Sequence, residues 1–130
     1  MANNYRVYFD TKALDDALLK SYVTPQIVEE SSQYVEAIAL SYGVTPNAIA
    51  TPTPFLVKRL ALLYAYMTSA QKKSTFAKGS SADEDSFALK FKMYKGLLDD
   101  LLDMLSAESF TNGVQAKKRK FPVTMGIERN

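Results

Sequence analysis

The strongest constraint on the fold is a repeat of apolar side chains in the last third of the chain. From about Asp83 to Ala107, apolar residues recur at intervals of four and three, which places them along one side of an α-helix. This pattern predicts a long helix whose apolar seam is buried against other parts of the protein. The residues that form the seam are Phe87, Phe91, Tyr94, Leu98, Leu101 and Leu105.

Two further helices are predicted near the N-terminus. The first is short, from Asp10 to Tyr22, with the Asp10 carboxylate capping its first turn. The second begins at Thr24 and Pro25, where a good N-cap residue is followed by a proline that suits the first helical position. Gly43 is predicted to end this helix, because glycine readily adopts the left-handed conformation at a helix C-terminus.

A proline-rich connector, "VTPNAIATPTP", leads into a third helix and is predicted to include a short helical turn at 46–49. The third helix follows Thr53 and reads "FLVKRLALLYAYMTSAQKK". Its apolar residues cover most of the circumference, which is typical of a helix at the centre of a bundle. The sequence therefore predicts an all-α fold: a small bundle of about four helices at 1–112, followed by a non-helical, β-prone C-terminal tail at 113–130.

The amino-acid inventory restricts the chemistry. The chain has 130 residues, no cysteine and no histidine. Without these side chains the common triads, thiol nucleophiles and most zinc sites are excluded, and the usual general base is missing. We therefore expect no enzymatic activity, no cofactor and no metal. A carboxylate-dependent enzyme would need Mg²⁺ at Asp99 and Asp103, but such a patch is more often the solvated side of an amphipathic helix.

The expected protein is soluble and intracellular. Its N-terminal sequence lacks the apolar core of a signal peptide, and no stretch approaches the ~20 apolar residues of a membrane span. The length fits one domain that can bury a core without disulfides or a metal.

Charge is distributed unevenly along the chain. The net charge is +2, yet the segment from Gly113 to Asn130 carries five cations and one anion, which is +4. The remaining residues carry 11 cations and 13 anions, which is −2. Such an asymmetry is typical of an interaction arm. The basic run Lys117, Lys118, Arg119 and Lys120 is either a contact for DNA or an acidic partner, or a solvated terminal run.

After the basic run, apolar residues alternate with others, as in a β-strand. A single strand leaves backbone donors and acceptors unpaired along both edges, so it needs a host. Three outcomes remain open: pairing with Tyr5 to Phe9, which we expect to be exposed; addition to a neighbouring subunit or partner; or a frayed terminus. The candidate partner-binding residues are Phe121, Val123, Met125 and Ile127.

The order of these elements resembles the head–tail connector (adaptor) proteins of tailed bacteriophages. The resemblance is carried by "TPQIVEESSQYVEAIALSYGV", by the proline-bounded "TPTPFLVKRLALLYAYMTSAQ", by the helix "FALKFKMYKGLLDDLLDMLS" and by the tail that begins at "TNGVQ". It covers about Asp10 to Gly113 as an order of elements, with the tail added.

The resemblance implies a virion structural protein that forms a homo-oligomeric, usually dodecameric, ring beneath the portal. Such a ring lies in the neck, assembles in the host cytoplasm, continues the DNA channel and docks adjacent neck or tail proteins. Phe121 to Ile127 would then be a docking arm, and Lys117 to Lys120 would meet an acidic portal surface or DNA in the channel. The alternative is a small nucleic-acid-binding or regulatory protein that uses the basic run.

Overall fold

The computed structural model describes residues 5–76 and 81–111, and this part of the chain is all-α, as predicted. Four α-helices follow one another: α1 (Pro25–Ser41), α2 (Phe55–Phe76), α3 (Ser81–Met104) and α4 (Ala107–Thr111). Two short 3-10 turns, Lys20–Tyr22 and Pro46–Ala48, lie before and after α1. The described residues include no β-strand. The predicted tail at 113–130 lies outside them.

Helix α2 lies at the centre and packs against α1, α3 and α4. Its buried residues occur around nearly the whole circumference, which is why its sequence shows no clear polar side. Helices α2 and α3 run antiparallel: the rings of Tyr66 and Tyr94 lie 4.9 Å apart near the middle of both helices. The predicted seam of α3 is buried against α2, with Phe91 only half-buried; the fully buried members are Phe87, Tyr94, Leu98, Leu101 and Leu105.

The ends of α1 follow from its local sequence, as predicted. The Thr24 hydroxyl accepts a hydrogen bond from the backbone N–H of Ile27 at 3.2 Å, and Pro25 occupies the first turn. At the other end Gly43 has φ +80°, a left-handed conformation that strains other residues. The backbone N–H of Val44 then donates to Ala39 at 2.9 Å, which closes the last turn.

The predicted helix from Asp10 to Tyr22 is wrong except for its last turn. Several of its backbone N–H groups donate to side chains instead of to carbonyls one turn earlier. Asp16 Oδ1 accepts from Leu18 and Leu19 at 3.0 and 2.9 Å, and the Tyr66 hydroxyl, from α2, accepts from Asp15 and Asp16 at 2.9 and 3.0 Å. Local aspartate bonds compete with helix formation in this way. The segment is therefore a series of turns fastened to the bundle.

The predicted end of the last long helix at Ala107 is also displaced. Helix α3 ends at Met104, and the short helix α4 begins at Ala107. The Ser106 N–H donates to the Ser109 hydroxyl at 3.1 Å, while the Ser109 N–H donates to the Ser106 carbonyl at 3.0 Å. This reciprocal pair resembles a capping box and starts a new helix where the seam pattern alone continues the old one.

The segment Tyr5 to Phe9 was expected to be exposed, and this is wrong. Tyr8 and Phe9 are buried in the core, while Tyr5 and Val7 pack against it. Its predicted pairing with the tail involves residues outside the described part. None of the helices in the described ranges is long and apolar enough to cross a membrane.

Candidate functional site

A buried carboxylate joins the N-terminal segment to α3. Asp16 is only 5% exposed, and its Oδ2 accepts hydrogen bonds from the Lys90 ammonium at 2.9 Å and from the Tyr94 hydroxyl. Burial alone raises the pKa of the Asp16 carboxyl, but the bonds from Tyr94, Lys90 and the Leu19 N–H outweigh it. The pKa of Asp16 therefore lies below its ordinary value, so the group stays ionised.

The neighbouring tyrosines complete this polar cluster. Burial and the hydrogen bond to Asp16 raise the pKa of Tyr94, so its hydroxyl remains a donor. The Tyr66 hydroxyl donates to Asp15 Oδ1 at 3.1 Å while accepting the two backbone N–H groups already described. Both oxygens of Asp16 are thus engaged inside the protein. The cluster holds the first 20 residues against α2 and α3. It leaves Asp16 with little accessible surface through which a substrate could be contacted.

The side chain of Arg6 holds the connector between α1 and α2 in place. The guanidinium of Arg6 donates to the carbonyls of Ile49 and Ala50 at 3.0 and 2.6 Å and to the Thr53 hydroxyl at 2.8 Å. It also lies 4.7 Å from the centre of the Tyr8 ring, within cation–π range. This planar fork of donors fixes a stretch that has few backbone hydrogen bonds of its own.

A large aromatic side chain, Phe55, is exposed at the start of α2. Phe55 is 71% exposed and lines a cleft of about 330 Å³, whose other apolar residues include Phe9 and Leu62. Lys58 and Arg59 border the cleft and form no ion pair within the described ranges. An aromatic side chain beside unpaired cations is typical of a contact for another macromolecule.

Helix α3 carries the larger apolar surface. Leu89, Met93, Leu97 and Met104 are exposed, by 67%, 45%, 39% and 64%, although they belong to a helix with a fully formed buried seam. At 3.6 residues per turn they fall within an arc of about 80°, whose centre lies about 120° around the helix from the centre of the seam. We refer to this arc and the residues beside it as the outer face of α3. Exposed apolar side chains grouped in this way mark interaction sites.

Asp99 and Asp103, the predicted Mg²⁺ candidates, lie about one turn apart on the exposed surface of α3. Asp99 Oδ2 accepts from Lys95 at 3.1 Å, one turn earlier, and Asp103 is exposed. Among the residues that the structure describes, no three carboxylates converge on a position for a metal ion. Asp99 and Asp103 thus lie on the solvated side of an amphipathic helix.

The predicted interaction residues cannot be placed relative to these surfaces. Lys117 to Lys120, and Phe121, Val123, Met125 and Ile127, all lie outside the described residues. No sequence pattern indicated Asp16 or Arg6, since their roles depend on partners more than 40 residues away. The exposed set on α3 is visible in the sequence as apolar residues beyond the seam, but the sequence pattern does not show that they are exposed.

Comparison with protein-family models, with curated proteins and with solved structures gives no match for this chain.

Proposed function

We propose that this protein is a structural adaptor that joins the portal of a tailed bacteriophage to its tail. The observation that carries the proposal is the surface of the bundle. Exposed apolar residues occur both beside the cleft at Phe55 and along the outer face of α3. A subunit that holds a neighbour on each side and a partner above or below needs more than one such surface. The resemblance of the sequence to the head–tail connector proteins is the second support for this proposal.

The mechanism is assembly without a chemical step. The bundle has its own core and its own hydrogen-bonded contacts at Asp16 and Arg6, so it folds before it binds its partners. Residues Phe121, Val123, Met125 and Ile127 then add a strand to an edge or groove that the portal or a neighbouring subunit supplies. The basic run Lys117 to Lys120 contacts an acidic portal surface or DNA in the channel. Ring closure multiplies these weak contacts into a stable joint.

Deletion of Val114 to Asn130 tests the role of the arm. We expect the helical circular dichroism signal and the Tm to stay nearly unchanged, because residues 5–76 and 81–111 form a buried core that includes all four helices. Binding to the portal protein of the same virus should be lost. The full-length protein, mixed with portal and imaged by electron microscopy, should form a ring at one end of the portal. Unchanged portal binding by the truncated protein would refute the arm's role.

The alternative function is supported by the charge of the tail, which is +4. A nucleic-acid-binding protein that uses all four cations of the basic run would show a slope of log K against log salt of about −3 to −4. Titration of the full-length protein with duplex DNA at several salt concentrations separates the two functions. Tight, steeply salt-dependent binding in the absence of portal favours the alternative, whereas weak binding together with ring formation favours the adaptor.

A further inference from the structure

The outer face of α3 includes, beside the apolar arc, a glycine that the described part of the chain does not require. Gly96 is exposed and lies in a regular helix, where glycine is less favourable than alanine. A methyl group at this position would meet no atom within 4 Å. Nothing in the described bundle therefore needs the small side chain. A glycine on an exposed apolar face leaves room for another helix to approach closely.

The charges on this face reverse sign at Gly96. Lys92 and Lys95 precede it, whereas Asp99 and Asp103 follow it. All four are exposed, and Lys92 and Asp103 form no ion pair within the described ranges. By helical geometry these charges lie along one edge of the apolar arc. The reversal holds for the stretch from Leu89 to Met104, where the cations precede Gly96 and the anions, Asp100 among them, follow it; the acidic residues 83–85 lie before this stretch. Such a stretch is complementary to an antiparallel copy of itself and repels a parallel copy.

From these observations we infer that the outer face of α3 binds the same face of a second copy of this chain. The two helices run antiparallel and cross at Gly96, so the contact is two-fold symmetric. Along one edge, Lys92 of each copy lies against Asp99 and Asp103 of the other. Along the apolar arc, Leu97 lies beside the crossing point, and Leu89 of each copy lies near Met104 of the other.

The expected dimer is weak. One helix from each copy covers less than the ~800 Å² per partner of a standard interface, and interfaces of that size are typical of transient association. An isologous contact is complete in a dimer and does not repeat around a ring. The proposed pairing therefore does not rest on the adaptor function. It describes the free protein before any partner is bound.

Sedimentation of the full-length protein over a range of concentrations tests the pairing. The measured mass should rise from 14.5 kDa towards twice that value with increasing concentration. Gly96→Gln should weaken dimerisation by at least about tenfold, because a longer side chain separates the helices. The same substitution should raise the Tm of the monomer, because glutamine is the better helix former and meets open space. The matched control is Leu40→Ser, which removes an exposed leucine on α1 and should leave the dimer unchanged.

Charge exchange tests the antiparallel orientation. Lys92→Glu should weaken the dimer by about tenfold, since it faces two aspartates of the other copy. The double variant K92E/D103K should recover most of that loss, because it restores opposite charges across the contact. Failure of the double variant to improve on Lys92→Glu would overturn the antiparallel arrangement.

Disulfide formation gives a direct readout, because the natural chain has no cysteine. Leu97→Cys, one residue from the crossing point, should form a disulfide-linked dimer on mild oxidation. Leu89→Cys should not, because its two copies lie about 21 Å apart along the helix axes. Equal linkage of both variants would overturn the pairing, as would a wild-type monomer at all concentrations. Dimerisation only after deletion of Val114 to Asn130 would identify the tail as the occupant of this face in the full chain, and would likewise overturn the inference.

Discussion

Replacement of Asp16 by alanine tests whether the N-terminal segment is held by the buried cluster. The carboxylate accepts four hydrogen bonds: two from the backbone N–H groups of Leu18 and Leu19, one from Lys90 and one from Tyr94. The loss of the two backbone bonds resembles the loss of a helix cap and costs about 1–2 kcal/mol. The buried Tyr94 hydroxyl loses its acceptor, which costs about 1–2 kcal/mol more.

Lys90 adds little to this cost. Its side chain is 34% exposed, so in the variant the ammonium can turn into water instead of remaining buried and unpaired. We therefore expect Asp16→Ala to lower the free energy of unfolding by about 3 kcal/mol in total. For a chain of this size that corresponds to a decrease in Tm of about 10 °C. Urea unfolding measures the free energy and thermal unfolding measures the Tm, each followed by circular dichroism.

The matched control is Asp99→Ala. Asp99 is exposed and pairs only with Lys95 on its own helix, so its removal should cost less than about 0.5 kcal/mol. Tyr94→Phe completes a double-mutant cycle with Asp16→Ala, and the coupling should be at least about 1 kcal/mol. If Asp16→Ala were no more destabilising than Asp99→Ala, the cluster would not be what fastens the segment.

Two further predictions follow from the same fastenings. Because the folded-state pKa of Asp16 is depressed, its contribution to stability is complete above the unfolded-state pKa of about 4 and is lost as the pH falls through the folded-state value. The stability difference between wild type and Asp16→Asn should therefore narrow below about pH 4, and a gap constant down to pH 2 would contradict this. Arg6→Ala should cost about 2 kcal/mol in urea unfolding, because three hydrogen bonds to the connector are lost. Arg6→Lys should recover less than half, since an ammonium cannot span the three acceptors, and full recovery would refute the role of the guanidinium fork.

The parts of the fold that the sequence predicted are those fixed by local chemistry. Thr24, Pro25 and Gly43 set the ends of α1 through bonds within a few residues, and a simple period set the seam of α3. The N-terminal segment could not be predicted in this way. Its apolar spacing suits a helix, but its N–H groups bind the carboxylate of Asp16 and a hydroxyl from α2, 50 residues away. A local pattern contains no information about such a partner.

The candidate interaction surfaces were also predictable from the sequence only in part. Helical spacing identifies which residues of α3 are apolar, but exposure depends on which side of the helix the rest of the bundle covers. Leu97 and Met104 are apolar residues close to the seam in sequence, yet they lie on the outer face. A Cβ added at Gly96 would meet no atom within 4 Å in the described part of the chain, which the sequence does not reveal either. The tail residues Phe121 to Ile127 carry a strand pattern whose outcome depends on a second molecule, and their role stays a prediction.

The dimer and the ring make different demands on the outer face of α3. An isologous pair hides this face, whereas a cyclic ring needs a contact that repeats from subunit to subunit. If both proposals hold, the dimer must dissociate before a subunit enters the ring. This dissociation step slows assembly at protein concentrations above the dimer dissociation constant. Gly96→Gln should then form rings on the portal faster than wild type, and the two rates should converge on dilution. Slower or incomplete ring formation by the variant would mean that Gly96 lies in a ring contact instead, because only a contact retained in the ring makes the small residue necessary there.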